Sequence, residues 1–281
     1  MANSIADPNL AHTGPEKPGV FSRPVHPALR QAVLQVSGFV DTGAMHVRQR
    51  ELPMVGIPII LGFGAPYRLS DASDPDLPKH EQTQFLAGLH HTWSTSESTG
   101  SGWAIQVNLT PPGAYAVLGV PLRELTNRIV AFTDVCGAPA RQLVTDLEQS
   151  TGWDERFDLV DRYLLSRLHL GPRLGQSVLW SWQQIERAGG LAPIGGLATE
   201  LGWSHRHFTS RFREHIGLTP KVVARQVRFA NATNLLLGTN QSLAAIAARL
   251  EFADQAHFSR EFREFSGETP AQFRLFRTAL S

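Results

Sequence analysis

The stretch FTSRFREHIGLTP at 208–220 recurs as FSREFREFSGETP at 258–270, with seven of thirteen positions identical at an offset of 50 residues. Just upstream, LATELGW at 197–203 pairs with IAARLEF at 246–252 at an offset of 49. The one-residue difference falls where a turn is expected, the place that accommodates an insertion at least cost. Each copy therefore reads as a short helix, a tight turn and a longer helix, which is the helix-turn-helix plan. At 100° per residue, Phe208, Phe212 and Ile216 share one face of the longer helix, and Phe258, Phe262 and Phe265 share the matching face of its counterpart. These aromatics are the expected core stripe.

The opposite face carries Arg206, Ser210 and Arg213 in the first copy, with Thr209 at its edge. In the second copy it carries Ala256, Arg260 and Arg263, with Ser259 at its edge. Arginine among small hydroxyl side chains suits a major groove. The guanidinium bonds guanine O6 and N7 in pairs, and the small neighbours let the helix approach the base edges. A single amphipathic helix with an arginine face would be read as an ordinary solvated helix. Two copies with turn, stripe and cap in the same order favour DNA recognition over that reading, and over a helical protein-interaction module. Thr219-Pro220 and Thr269-Pro270 each read as an N-cap threonine followed by proline at the first helical position. The helix opened by Pro220 can run to Leu237, about 27 Å at 1.5 Å per residue, against ~34 Å between successive major-groove faces. The free N–H groups at these helix starts, with Arg225 and Arg228, are candidates for phosphate contacts.

Residues 242–274, SLAAIAARLEFADQAHFSREFREFSGETPAQFR, resemble the signature of the AraC/XylS family of transcription regulators, and residues 197–220 resemble that family's first helix-turn-helix. The resemblance implies a seven-helix unit that reads two adjacent major-groove segments. Carried over by position, it places base reading on Arg206, Thr209 and Ser210 and on Gln255, Ser259 and Arg260. Arg213 and Arg263 fit either a base or a phosphate contact. Glu251 departs from the pattern by standing where the family has glycine, whereas Gly202 keeps it. If that turn requires a positive φ, Glu251 is strained there.

The rest of the 281-residue chain reads differently. Of its 25 acidic residues, 17 lie within 1–180 against 14 basic ones, whereas 181–281 hold 12 basic and 8 acidic residues. A basic second part suggests an anionic partner for it. One cysteine, Cys136, excludes a disulfide framework or a cysteine-rich metal site. The longest apolar run, Met54 to Ala65, is twelve residues and contains Pro58, where a bilayer span needs about 20. The polar, proline-broken N-terminus lacks an apolar signal region, so a cytoplasmic location with no membrane contact is expected.

Residues 1–25 are expected to be a flexible lead-in. Short apolar segments at 32–40, 46–52, 56–63, 83–93 and 102–109 predict strands, and Trp103, Ile105, Val107 and Leu109 alternate as in a half-buried strand. Ser70–Lys79 predicts a loop. After Pro121 the spacing of Leu122, Leu125, Ile129 and Phe132 predicts a helix, and Asp154 is the expected N-cap of another, running to Leu168. Gly171-Pro172 and Gly175 mark a linker. The expected architecture is therefore two domains. Residues 26–170 form a β-rich small barrel or sandwich with a helical connector, of α+β class. Residues 175–281 form an all-α tandem helix-turn-helix, with motifs at about 193–216 and 242–266.

In the family this resembles, the N-terminal domain senses a small molecule or mediates dimerisation. An effector, a second copy of the chain and RNA polymerase are thus open partners beside double-stranded DNA, and no cofactor is implied. Phe39, Phe63, Tyr67, Trp93 and Trp103 are as compatible with ordinary core packing as with an effector pocket, so the effector-binding residues stay unassigned. No Gly-rich phosphate loop, G-x-S-x-G elbow or cysteine–histidine nucleophile pattern is present. The expectation is that the chain is not an enzyme and holds no metal. The alternative is a metal- or ligand-dependent catalytic domain fused to a DNA-binding tail, its metal held by His80, Glu81, His90 and His91. Against it, adjacent histidines on a strand point to opposite faces.

Overall fold

The computed structural model describes residues 19–43, 48–70 and 80–278. The expected loop at 71–79 and the lead-in up to residue 18 lie outside the described residues. Ten strands form two antiparallel sheets. The first contains β1 (Gly19–Ser22), β2 (Val33–Thr42), β4 (Ile57–Gly64), β7 (Gln84–Ala87), β9 (Ser101–Leu109) and β10 (Ile129–Ala131), in the order β1-β2-β9-β4-β7-β10. The second contains β3 (Arg48–Glu51), β5 (Tyr67–Leu69), β6 (His80–Gln82) and β8 (Ser94–Ser98), in the order β3-β8-β5-β6. Neither sheet closes on itself through the described strands, so the β-rich part is two facing sheets and not a closed barrel.

Alternation along β4 serves two environments. Ile57, Ile59 and Leu61 enter a core with the helices, whereas Pro58 and Ile60 face a cavity between the sheets. The same holds for β9. The expected alternation places Ile105, Val107 and Leu109 in the core on one side, but Ala104 and Asn108 on the other side are buried too, and Gln106 lines the cavity there.

Three helices complete this part: α1 (Pro111–Leu118), α2 (Phe132–Gln149) and α3 (Trp153–Leu170). Thr110 caps α1 by accepting from Gly113 N–H, with Pro111 and Pro112 opening the helix. The α2 helix is broken at Gly137 (φ 64°, ψ −141°), just ahead of Pro139. Its Phe132, Leu143 and Leu147 join Phe157, Val160 and Leu164 of α3 in the core under the larger sheet.

Four local expectations are corrected. Gly19–Ser22, read as lead-in, pairs with β2 as an edge strand. Leu122–Phe132 is a 3-10 turn (Leu122–Glu124) followed by β10, not a helix. Gly152, not Asp154, occupies the N-cap of α3, and Asp154 sits in its first turn, where a carboxylate suits the helix dipole. His90 and His91 lie beyond the end of β7, not on a strand.

Seven helices follow: α4 (Gln176–Arg187), α5 (Ile194–Glu200), α6 (His205–Ile216), α7 (Pro220–Gly238), α8 (Leu243–Arg249), α9 (Gln255–Ser266) and α10 (Pro270–Thr278). The apolar packing divides within α7. Phe208, Phe212, Ile216, Val223 and Val227 belong to one core that is continuous with the β-rich part. Phe229, Leu236, Ile246, Phe258, Phe262, Phe265 and Phe273 form a second core of their own.

Candidate DNA-reading surface

The two repeats fold alike because each local signal is satisfied twice. In the first, α5 ends at a turn where Gly202 has φ 67°. In the second, α8 ends at a turn where Glu251 has φ 56°. The turn does require the left-handed region, and a side chain occupies it there. The Ser204 hydroxyl caps α6 by accepting from His207 N–H at 3.2 Å, and Asp254 caps α9 by accepting from His257 N–H at 2.6 Å. Phe208, Phe212 and Ile216 of α6 are buried, as are Phe258, Phe262 and Phe265 of α9. Thr219 caps α7 through Val222 N–H, with Pro220 at its first position.

With the aromatic stripes inward, Arg206, Ser210 and Arg213 are exposed on α6 and Thr209 is half-buried beside them. On α9, Gln255, Arg260 and Arg263 are exposed and Ser259 is half-buried. None of these four arginines forms an ion pair with a described residue, which leaves their donors directed at solvent. The α6 face borders a cleft whose far wall is Arg123 and Glu124 of the 3-10 turn after α1.

Arg225 and Arg228 sit elsewhere. The Arg225 guanidinium donates to Glu261 at 2.9 Å and to Glu264 at 2.5 Å, and Arg228 donates to Glu261 at 3.2 Å. Both lie over rings, Arg225 over Phe265 at 5.0 Å and Arg228 over Phe252 at 4.9 Å. Burial pulls the Arg225 pKa down, but the carboxylates of Glu264 and Glu261 outweigh it and raise it overall. In this conformation the two arginines fasten α7 to α9 through these carboxylates. Sequence reading could not find this, because the partners lie 33 to 39 positions away.

A second feature escaped sequence reading altogether. A cavity of about 590 Å³ lies between the two sheets, within the ~300–1,000 Å³ common for small-molecule sites. Phe39, Ile60, Leu69 and Phe85 supply apolar walls, and Asp41, Tyr67, Ser98 and Gln106 supply polar groups. Burial, together with the nearby Asp41 carboxylate, pushes the Tyr67 phenol up to about 12. Of the five aromatics singled out by sequence, Phe39 and Tyr67 line this cavity. Phe63 and Trp103 instead stack on each other at 4.1 Å, and Trp93 packs against Gly267. Among the described residues no group of three or more His, Cys, Asp or Glu could hold a metal ion, and no helix is long and apolar enough to cross a membrane.

The comparisons agree with this geometry. Residues 197–275 match the model of a helix-turn-helix domain. The chain is 29% identical over 163 residues to the HTH-type transcriptional activator RhaS of an Enterobacter species, covering 50% of this chain and 54% of that protein. It is 36% identical over 88 residues to the HTH-type transcriptional regulator Rv1931c of Mycobacterium tuberculosis, covering 31% and 34%. The match thus spans between a third and about half the length of these relatives. Among solved structures, ToxT from Vibrio cholerae aligns over 88% of this chain and 98% of that one, at 12% identity and a TM-score of 0.47. The C-terminal part is a tandem helix-turn-helix domain. More narrowly, it is a helix-turn-helix domain of the AraC type.

Proposed function

We propose that the chain is a sequence-specific transcription regulator whose α6 and α9 read two adjacent major-groove segments of double-stranded DNA. The observation that carries this is the duplicated outward face, with exposed Arg206 and Ser210 on one helix and Gln255 and Arg260 on the other, each held out by a buried aromatic stripe. Arg206, Thr209, Ser210, Gln255, Ser259 and Arg260 contact base edges, and Arg213 and Arg263 bind the phosphates beside them. Selection from random duplexes with the full chain should recover two short blocks about one helical turn apart, with affinity falling steeply as salt rises. Arg260→Ala should then cost about 1–3 kcal/mol and relax preference at one base pair. An equal loss for every sequence would make Arg260 a phosphate contact.

The same reading assigns effector control to the cavity between the sheets. Among the described residues its lining holds the carboxylates of Asp41 and Glu51 and the imidazole of His90, and no lysine or arginine. It therefore suits an uncharged or cationic organic molecule with an apolar body, and disfavours a carboxylate. A thermal-shift screen that contrasts amines and alcohols with their acid counterparts tests this. Stabilisation by the acids alone would refute the assignment.

A further inference from the structure

The β-rich part grips the two helix-turn-helix modules at the same point of the repeat. Gly217 and Gly267 are equivalent residues that end α6 and α9, with φ 98° and 75°. At the first, the Thr126 hydroxyl donates to Gly217 C=O at 2.9 Å, and a Cβ on Gly217 would lie 2.9 Å from that hydroxyl. At the second, a Cβ on Gly267 would lie 2.4 Å from Trp93 Nε1. Around it, the Arg50 guanidinium covers the Trp93 ring at 4.3 Å and donates to Ser266 C=O at 3.1 Å, and Thr92 donates to Glu264 C=O at 2.8 Å.

The two grips are themselves joined. Asn127 N–H donates to Leu89 C=O and His91 N–H donates to Asn127 Oδ1, both at 3.0 Å, and Gly88 N–H donates to Arg128 C=O at 3.0 Å. Asn127 holds φ 56° to make this junction, and a Cβ on Gly88 would strike Leu125 C=O at 1.8 Å. Segments 88–93 and 122–128 thus form one bracket, which also reaches α7 through Gln226 Nε2 donating to His90 C=O at 2.5 Å.

We infer that this bracket, with Arg50, Trp93, Thr126 and Asn127 as its positioning residues, fixes the separation and angle of α6 and α9 and so selects the spacing between the two DNA blocks the chain recognises. A bracket of this kind matters because α7 is the covalent link between the modules and contributes to both cores, so a second tie between them adds to what sets their mutual angle. The inference rests on the DNA-reading function proposed above, but its test does not depend on that function alone.

The full chain, with Cys136→Ala and nitroxide labels at Glu200→Cys and Arg249→Cys, reports the separation of α5 and α8 by pulsed electron resonance. One narrow distance distribution is expected, and it should broaden when Arg50→Ala and Trp93→Ala are introduced together. In parallel, unlabelled chains are offered duplexes in which the gap between the selected blocks is varied by one base pair at a time. The native chain should prefer one gap by about tenfold or more, and the double variant should bind neighbouring gaps nearly as well. Thr126→Val removes the bond to Gly217 C=O together with a longer one, 3.3 Å, to Leu122 C=O within the same segment, and it decides the matter if the double variant fails to fold.

An unchanged, narrow distribution in the variants overturns the proposal, whatever the DNA result. So does tighter binding to every duplex with the native gap preference retained, which would make the bracket a restraint on binding and not a ruler. If the native chain binds no duplex at all, the DNA-reading function fails, and the distance measurement alone decides whether the bracket orders the modules.

Discussion

Replacing Glu251 with glycine should stabilise the protein, and the repeat supplies its own control. Glu251 has φ 56° in the turn between α8 and α9, where a Cβ crowds the following carbonyl at a cost of about 1–2 kcal/mol. Glycine relieves that strain but adds freedom to the unfolded chain, worth about 0.4–1 kcal/mol in the opposite sense. The side chain is exposed and bonds to no described residue, so its removal forfeits little else. The balance is a gain of about 0.5–1 kcal/mol. In the first repeat the same turn has Gly202 at φ 67°, and no described atom lies within 4 Å of the Cβ that Gly202→Ala would add. That substitution should lose about as much as Glu251→Gly gains, through backbone conformation alone. Urea unfolding, with hydrogen exchange at α8 and α9 for Glu251→Gly and at α5 and α6 for Gly202→Ala, reads both. A Glu251→Gly variant no more stable than the native chain, beside a Gly202→Ala variant that is destabilised, would refute strain at the second turn.

Three further outcomes are expected. Arg225→Ala should destabilise the chain by about 1–3 kcal/mol in denaturant without DNA, because it takes one bond each from the buried Glu261 and from Glu264; unchanged stability with weaker DNA binding would instead make Arg225 a phosphate contact. Phe262→Ala should cost about 3–5 kcal/mol and raise hydrogen exchange across α8–α10 well before the sheets, since Phe262 belongs to the core that excludes them. The Tyr67 phenol has a folded pKa near 12 against 10 unfolded, so its contribution is fully present below pH 10 and is lost as pH rises toward 12. Tyr67→Phe should therefore flatten the alkaline fall in melting temperature, and an identical fall in both proteins would refute the assignment.

How much of this was legible depended on how far each signal reached along the chain. The helix-turn-helix repeat could be read because its core stripe, cap and turn all lie within a few residues and occur twice, and the strain at Glu251 could be read because its counterpart in the first copy is Gly202. The cavity could not be read. The strand β8 (STSES) has no apolar alternation, because it pairs with β3 and β5 and Ser94, Ser96 and Ser98 face the space between the sheets. Leu122, Leu125, Ile129 and Phe132 mimic a helical period, yet Leu122, Leu125 and Phe132 enter one core from a 3-10 turn and the start of α2, whereas Ile129 on β10 lines the cavity. Burial, not periodicity, spaced them. Trp93, left unassigned by the sequence, packs against Gly267, and a contact 174 positions away leaves no local signal.

The division of the apolar core has a consequence for how the chain bears damage. Phe208, Phe212 and Ile216 share continuous packing with Ile105, Val107 and Leu122, whereas among the described residues the β-rich part reaches the second core through Leu52 and touches the end of α9 through Arg50, Thr92 and Trp93. The two copies are alike in sequence but unequal in independence. A lesion in the sheet is transmitted by direct contact to the first copy, and the transmission stops midway along α7, between Val227 and Phe229. The second copy, with a core of its own, is expected to stay folded after the first has lost its packing, which hydrogen exchange resolved along α5 to α10 would read.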